Sequence, residues 1–189
     1  MARPPDPARR DELLRAIVDH LERTGIDDLS LAPLAEAVGT SKRMLIYYFG
    51  DRRGLVAQAL EYSRPDVGAL FHDVGDATEL ADAVTRLWHA LTRGSQRHSV
   101  RLLLQVLSLS VTDPETYGAH ALTSVRLLLD PVTVAFRDAG FTAEQATRRA
   151  TLVVSGLRGL CQDLLVTRER TRVDAAARLL IDAAVAAPD

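Results

Sequence analysis

Apolar residues fall at helical intervals along most of the chain. Leu13, Leu14, Ile17, Val18 and Leu21 recur three and four apart, which predicts an amphipathic helix over about 8–23, with Asp11 and Glu12 near its positive end. Gly25 ends that helix. Ser30 reads as the N-cap of a short helix reaching Val38, and Pro33 falls in its first turn, where a missing amide costs little. Gly39 closes it, Ser41 caps the next helix from Lys42 to Tyr48, and the break at Phe49-Gly50-Asp51 precedes a fourth from Arg52 to about Tyr62.

Beyond that point the pattern is longer and uniformly helical. Breaks are predicted at Arg64-Pro65, Gly75, Gly94-Ser95, Asp113-Pro114, Ala139-Gly140 and around Arg168 to Thr171. Asp113 before Pro114 has the form of an N-cap followed by proline at the first helical position, and Thr142 with Gln145 forms a capping box. Pro131 lies inside the pattern from Pro114 to Ala139 and predicts a kink or a break near Asp130. No segment alternates like a strand, so the fold class is all-α.

With 189 residues the chain holds one folding unit, or one small module joined to a larger one. A formal charge of −2 supplies no global field toward nucleic acid or an anionic membrane, so any polyanion site must be local. Residues 40–53 meet that condition: Lys42, the only lysine, together with Arg43, Arg52 and Arg53, opposes a single carboxylate, Asp51. The lone Cys161 excludes an internal disulfide and a cysteine-based zinc site, and reads as a packed small hydrophobe in a reducing, cytoplasmic setting. The first ten residues lack the apolar stretch of a secretory signal, and the apolar runs are broken well short of a membrane span. The five histidines lack metal-site spacing, and no cofactor fingerprint or catalytic triad pattern occurs, so neither a metal nor a cofactor is assigned.

Three short helices joined by turns at Gly25 and Gly39 have the layout of a helix-turn-helix, whose second member enters the DNA major groove. Lys42 and Arg43, in the first turn after the cap, are placed to meet base edges, and Met44 to meet a thymine methyl. Tyr47, Tyr48 and Arg52 are placed to hold phosphates, with Ser30 and Ser41 as caps that also can. Leu34, Ala35, Val38, Leu45, Phe49 and Leu55 read as the apolar centre that clamps these helices. Arg9 and Arg10 read as a solvated terminus, with a DNA-contacting arm as the alternative.

The stretch from Gly25 to Leu55 resembles the DNA-binding module of the tetracycline-repressor (TetR) family. The match rests on Gly25, Ser30, Leu34-Ala35, Gly39, Ser41, Tyr47-Tyr48-Phe49, Arg52 and Leu55. Ile46 stands where the family usually has a tyrosine, and Gly54 interrupts the start of the fourth helix. The resemblance implies a homodimeric transcriptional regulator, with a helix-turn-helix domain over 1–54 and a larger helical effector and dimerisation domain over 55–189.

The larger region offers two further sets of residues. Trp88, His89, His98, Gln105, Tyr117 and His120, polar or amphipathic among leucines, could line an effector cavity, with ordinary surface or satisfied core roles as the alternative for each. Val153, Gly156, Leu157, Leu160 and Leu164 form one stripe, and Val173, Ala176, Ala177, Leu180 and Ala184 another, which suggests a four-helix dimer interface, with burial inside one protomer as the alternative. The reading is a repressor that binds palindromic double-stranded DNA as a homodimer and is released by a small molecule. Activation instead of repression stays open. A helical enzyme or ligand carrier without DNA binding, or a helical adaptor, are the rival classes.

Overall fold

The computed structural model describes residues 6–26, 29–63, 67–93 and 97–186. Among them the regular elements are α1 (Pro7–Thr24), α2 (Leu31–Ala37), α3 (Lys42–Phe49), α4 (Arg52–Tyr62), a 3-10 turn (Gly68–Phe71), α5 (Ala77–Arg93), α6 (Arg97–Thr112), α7 (Pro114–Asp138), α8 (Ala143–Thr167) and α9 (Arg170–Val185). The fold is all-α, with no strand among the described residues. The breaks predicted at Arg64-Pro65 and Gly94-Ser95 lie outside the described residues, as does the side chain of His98.

The helix ends follow from local chemistry. Asp6 caps α1 by accepting from Ala8 N at 3.1 Å, with Pro7 at the first helical position. Asp113 caps α7 through Thr116 N at 3.1 Å, and the Thr142–Gln145 box caps α8 with both of its bonds formed. Of the kink or break expected near Asp130, the break does not occur: α7 continues through Pro131. That proline removes only its own bond to the Leu127 carbonyl, and the buried neighbours Leu128, Val132, Ala135 and Phe136 continue the packed face on both sides of it.

The chain divides into two compact units, Met1–Pro65 with Arg101–Ala121, and Asp66–Val100 with Leu122–Asp189. In the first unit α1 packs on α2 and α4, and α3 packs on α2 and α4. Its core is continuous: Leu13, Ile17, Leu21, Ile26, Leu34, Leu45, Phe49, Leu55 and Ala59 are joined by Leu102 and Val106 of α6 and Tyr117 of α7. Burying each large apolar side chain contributes about 1.5–3 kcal/mol, enough to fix the short α2 and α3, which are too short to hold as isolated helices.

In the second unit α9 lies against α8 and α5. The α8–α9 hairpin turns at Arg168, which takes left-handed backbone (φ 60°). Gly156 lets the two helices close up, since a Cβ there would run into the side chain of Leu180. Arg172 grips Asp163 with two bonds of 2.8 and 2.7 Å, and Arg149 closes the end of α9 by donating to the carbonyls of Ala184 at 2.6 Å and Ala186 at 2.7 Å. Burial pushes the Cys161 thiol up to about 12, so it packs as an inert hydrophobe.

Candidate nucleic-acid interface

The eight residues of α3 separate into two faces. Leu45 and Phe49, 0 % and 3 % exposed, point into the core of the first unit. Lys42, Arg43, Ile46 and Tyr47 lie on the solvent face, two pairs four residues apart and therefore stacked one turn above the other. Met44 and Tyr48 are half-buried at the margin between the faces. The helix is held at both ends: Ser41 Oγ accepts from Met44 N at 3.2 Å, and Asp51, capping α4, accepts from Gly54 N at 2.8 Å.

Gly54 has a specific reason to be glycine. A Cβ there would lie 2.6 Å from the Phe49 carbonyl oxygen, so the first turn of α4 abuts the end of α3 more closely than any larger residue allows. Gln58 then donates to the carbonyls of Phe49 (3.4 Å) and Gly54 (3.1 Å), while its own oxygen accepts from Arg10. The Arg10 guanidinium also lies over the Phe49 ring, 5.8 Å from its centroid. Arg10 thus ties α1 to α3 and α4, and Arg9 pairs with Glu12 at 3.0 Å. Arg10 therefore belongs to the scaffold under α3, whereas Arg9 stays on the solvated side of α1, as the sequence suggested for both.

Tyr47 and Tyr48 meet edge to face, with centroids 5.1 Å apart. Tyr47 is exposed, and Tyr48 packs against the core at the same time as it reaches the surface. Arg52 is exposed and donates one guanidinium nitrogen to the Ile26 carbonyl at 3.3 Å. Ser30 is the N-cap residue of α2 by position but makes no side-chain capping bond. Lys42, Arg43 and Tyr47 are therefore brought to one face, Ser41 serves the backbone, and Met44 and Tyr48 sit at the edge. Ile46, 46 % exposed, shares that face but was not among the residues the sequence singled out for it. The signal was available, because Ile46 stands one turn beyond Lys42.

The residues singled out for an effector do not form one group. Trp88 is 3 % exposed, and its indole Nε1 donates to Asp174 Oδ1 at 2.9 Å, so it pegs α5 to α9 as a structural residue. Asp174 also pairs with Arg93 at 2.6 Å. Burial opposes its charge, but the bonds from Trp88 and Arg93 prevail and hold the carboxyl below its usual range. His89 faces solvent on α5. Gln105 accepts from Ile26 N at 3.2 Å and so braces the segment after α1. Tyr117 and His120 line one cavity of about 310 Å³ together with Arg52 and Arg53.

The helical stripes named for the dimer also need correction. Val153, Leu157, Val173, Ala177 and Ala184 are at most 1 % exposed within the protomer, and Gly156, Leu160, Leu164, Ala176 and Leu180 are half-buried there. These residues fill the interior between α8, α9 and α5 because α9 lies along that side of α8. What α8 and α9 leave uncovered is the opposite side, with Leu152, Val166 and Leu179 at 49, 77 and 72 % exposure. Among the described residues no three His, Cys, Asp or Glu side chains gather as a metal site, and no helix is long and apolar enough to cross a membrane.

Comparison with known proteins agrees with this geometry. Residues 13–59, which span α1 to α4, match the bacterial regulatory proteins of the tetR family. The HTH-type transcriptional regulator BetI of Klebsiella pneumoniae (strain 342) is 30 % identical over 98 residues, which is 52 % of this chain and 44 % of the relative. The chain thus matches less than half the length of this curated relative. Two solved structures share the fold over nearly the whole chain. A transcriptional regulator from Rhodococcus sp. Rha1 has a TM-score of 0.74 at 17 % identity, covering 95 % of this chain and 99 % of the other. NalD of Pseudomonas aeruginosa, the secondary repressor of the MexAB-OprM multidrug efflux pump, has a TM-score of 0.68 at 16 % identity, covering 95 and 96 %. Residues 13–59 thus carry the helical module of the tetR family of bacterial regulatory proteins, and the rest of the chain shares the fold of the solved regulators.

Proposed function

We propose that this protein is a transcriptional regulator that binds palindromic double-stranded DNA as a homodimer, and that it is non-enzymatic and acts in the cytoplasm. The observation that carries this reading is the outward face of α3. Lys42, Arg43, Ile46 and Tyr47 project from a capped helix whose other face is locked by Leu45 and Phe49. Lysine and arginine in the first turn are placed to donate to guanine edges, and Ile46 and Met44 to touch thymine methyls. Tyr47, Tyr48, Ser41 and Arg52 flank that strip and are assigned to phosphates, with Ser30 further out. The DNA-binding domain is assigned to 1–54, and the effector and dimerisation domain to 55–189.

A single α3 reads too few base pairs for specificity, so a second copy is required, with the two recognition helices about 34–36 Å apart. The uncovered apolar side of α8 and α9 supplies the self-association surface. Leu152 and Val166 on α8 and Leu179 on α9 are exposed, and Gly159 has open space where a side chain would stand. Exposed large apolar side chains gathered in this way mark an interaction surface, and small residues between them permit close helix approach. Repression, relieved by a small-molecule effector that favours a differently spaced dimer, is the regulatory sense we assign. BetI and NalD, described as a transcriptional regulator and a repressor, support it.

Selection from random duplex DNA tests the proposal. Recovery of a two-fold symmetric site with half-sites one helical turn apart is the expected outcome. Failure to enrich any sequence, or enrichment of an asymmetric single site, would contradict it.

A further inference from the structure

We infer that the cavity at the start of α4 and α7 is a binding site for a small organic carboxylate with a compact apolar body. The cavity encloses about 310 Å³, at the lower end of the range for small-molecule sites and too large for one water or a simple ion. Its wall carries Arg52, Arg53 and His120, with Thr116, Tyr117 and Val56.

Donors and acceptors in this wall are unevenly engaged. Both carboxylates present, Asp51 and Asp113, are turned onto backbone amides: Asp51 accepts from Gly54 N at 2.8 Å and Asp113 from Thr116 N at 3.1 Å. The Thr116 side chain, more than its backbone amide, holds the Asp113 carboxyl below its ordinary range against the opposing effect of burial, and the nearby charges of Arg53 and Arg52 act in the same direction as Thr116. Arg53 is exposed and makes no ion pair with another described residue, and Arg52 has one nitrogen on the Ile26 carbonyl. Guanidinium nitrogens therefore remain to grip an anion, in the bidentate geometry that suits a carboxylate. Val56 and Tyr117, 2 % and 5 % exposed, give the same cavity an apolar floor. A charged head on the arginines and a flat apolar body against Val56 and Tyr117 match both halves of the lining.

The site has a regulatory consequence that rests on the DNA-binding reading. Arg52 belongs both to this wall and to the phosphate-contacting set, so an anion held in the cavity competes with operator phosphate for the same guanidinium.

Benzoate, with the neutral, equally sized benzamide as control, tests the site on the full-length chain. Amide-resolved NMR should show saturable shifts confined to residues near 51–56 and 113–120 with benzoate. Benzamide should bind at least about tenfold more weakly, and Arg53→Gln or His120→Ala should weaken benzoate by a similar factor. Circular dichroism confirms that each variant is folded. Scattered or absent shifts, equal binding of benzamide, or unchanged benzoate affinity in both folded variants would overturn the inference. A separate anisotropy titration with selected duplex should show weaker DNA binding at saturating benzoate. A chain that binds benzoate as described but no duplex retains the site and loses the proposed function. A chain that binds duplex but not benzoate does the reverse.

Discussion

Two surfaces of this protein are formed by the same device, a helix with one side locked in a core, and differ in what the other side presents. The free side of α3 carries Lys42, Arg43, Ile46 and Tyr47, two cations among apolar and hydroxyl-bearing groups. The free side of α8 and α9 carries Leu152, Val166 and Leu179 with Gly159. The first surface remains well hydrated until a polyanion displaces its counterions, and its attraction is graded by salt. The second gains by leaving water and is indifferent to salt to first order. Partner class is therefore set by the uncovered side, while the covered side sets only how rigidly that surface is presented.

Substitutions at covered and at uncovered positions should have opposite signatures. Leu157→Ala, in the interior of the second unit, should cost about 2–5 kcal/mol in urea unfolding. Leu179→Ser should change the stability of the protomer itself by less than about 0.5 kcal/mol. Its effect should instead appear in sedimentation as loss of dimer, and in a melting temperature that no longer rises with protein concentration. If Leu179→Ser remained dimeric while Leu157→Ala became a stable monomer, the assignment of inner and outer sides would be reversed.

At the other surface, Arg43→Ala should cost about 1–3 kcal/mol in DNA affinity and relax preference at one position of each half-site, as read by anisotropy on matched and mismatched duplexes. Gly54→Ala should lower stability by about 1–3 kcal/mol, because the added Cβ must displace backbone at Phe49. Presentation of α3 should suffer with it, so DNA affinity falls although no contact residue is altered.

A smaller effect follows from Asp174. Its carboxyl sits below the usual range in the folded protein, so its contribution to stability is present above about pH 4 and is lost as pH falls through the folded value. Asp174→Asn should flatten the acid limb of a pH–stability profile and leave the neutral-pH affinity for DNA unchanged. The smallest effect is chemical: Cys161 should react with a thiol reagent only at the rate of unfolding, since burial raises its pKa to about 12.

The recognition module was legible in the sequence because its signals are local. Ser41 bonds to Met44 N and Asp51 to Gly54 N, so the bounds of α3 and α4 are written within three residues of each cap. Leu34, Ala35, Leu45, Phe49 and Leu55 are buried as their spacing implied. The second unit was legible as helices but not as surfaces. α8 is apolar on two sides, and periodicity alone does not distinguish Val153 and Leu157, which face the interior, from Leu152 and Val166, which do not. Trp88 and Gln105, left between cavity and core by the sequence, prove to be bonded structural residues. Their partners, Asp174 and Ile26, lie 86 and 79 residues away, so nothing near either residue announces the bond. Gly54, an interruption of helix propensity when read alone, is explained by the carbonyl of Phe49 standing where its Cβ would be.

Whether Lys42 and Arg43 on the outward side of α3 meet DNA can be read from a salt titration of the affinity of this chain for a selected duplex, run beside Lys42→Ala. A steep linear fall of log affinity with log salt, with a slope smaller in magnitude by about one per protomer in Lys42→Ala, is the predicted result. Affinity that ignores salt, or a slope identical in the variant, would contradict it.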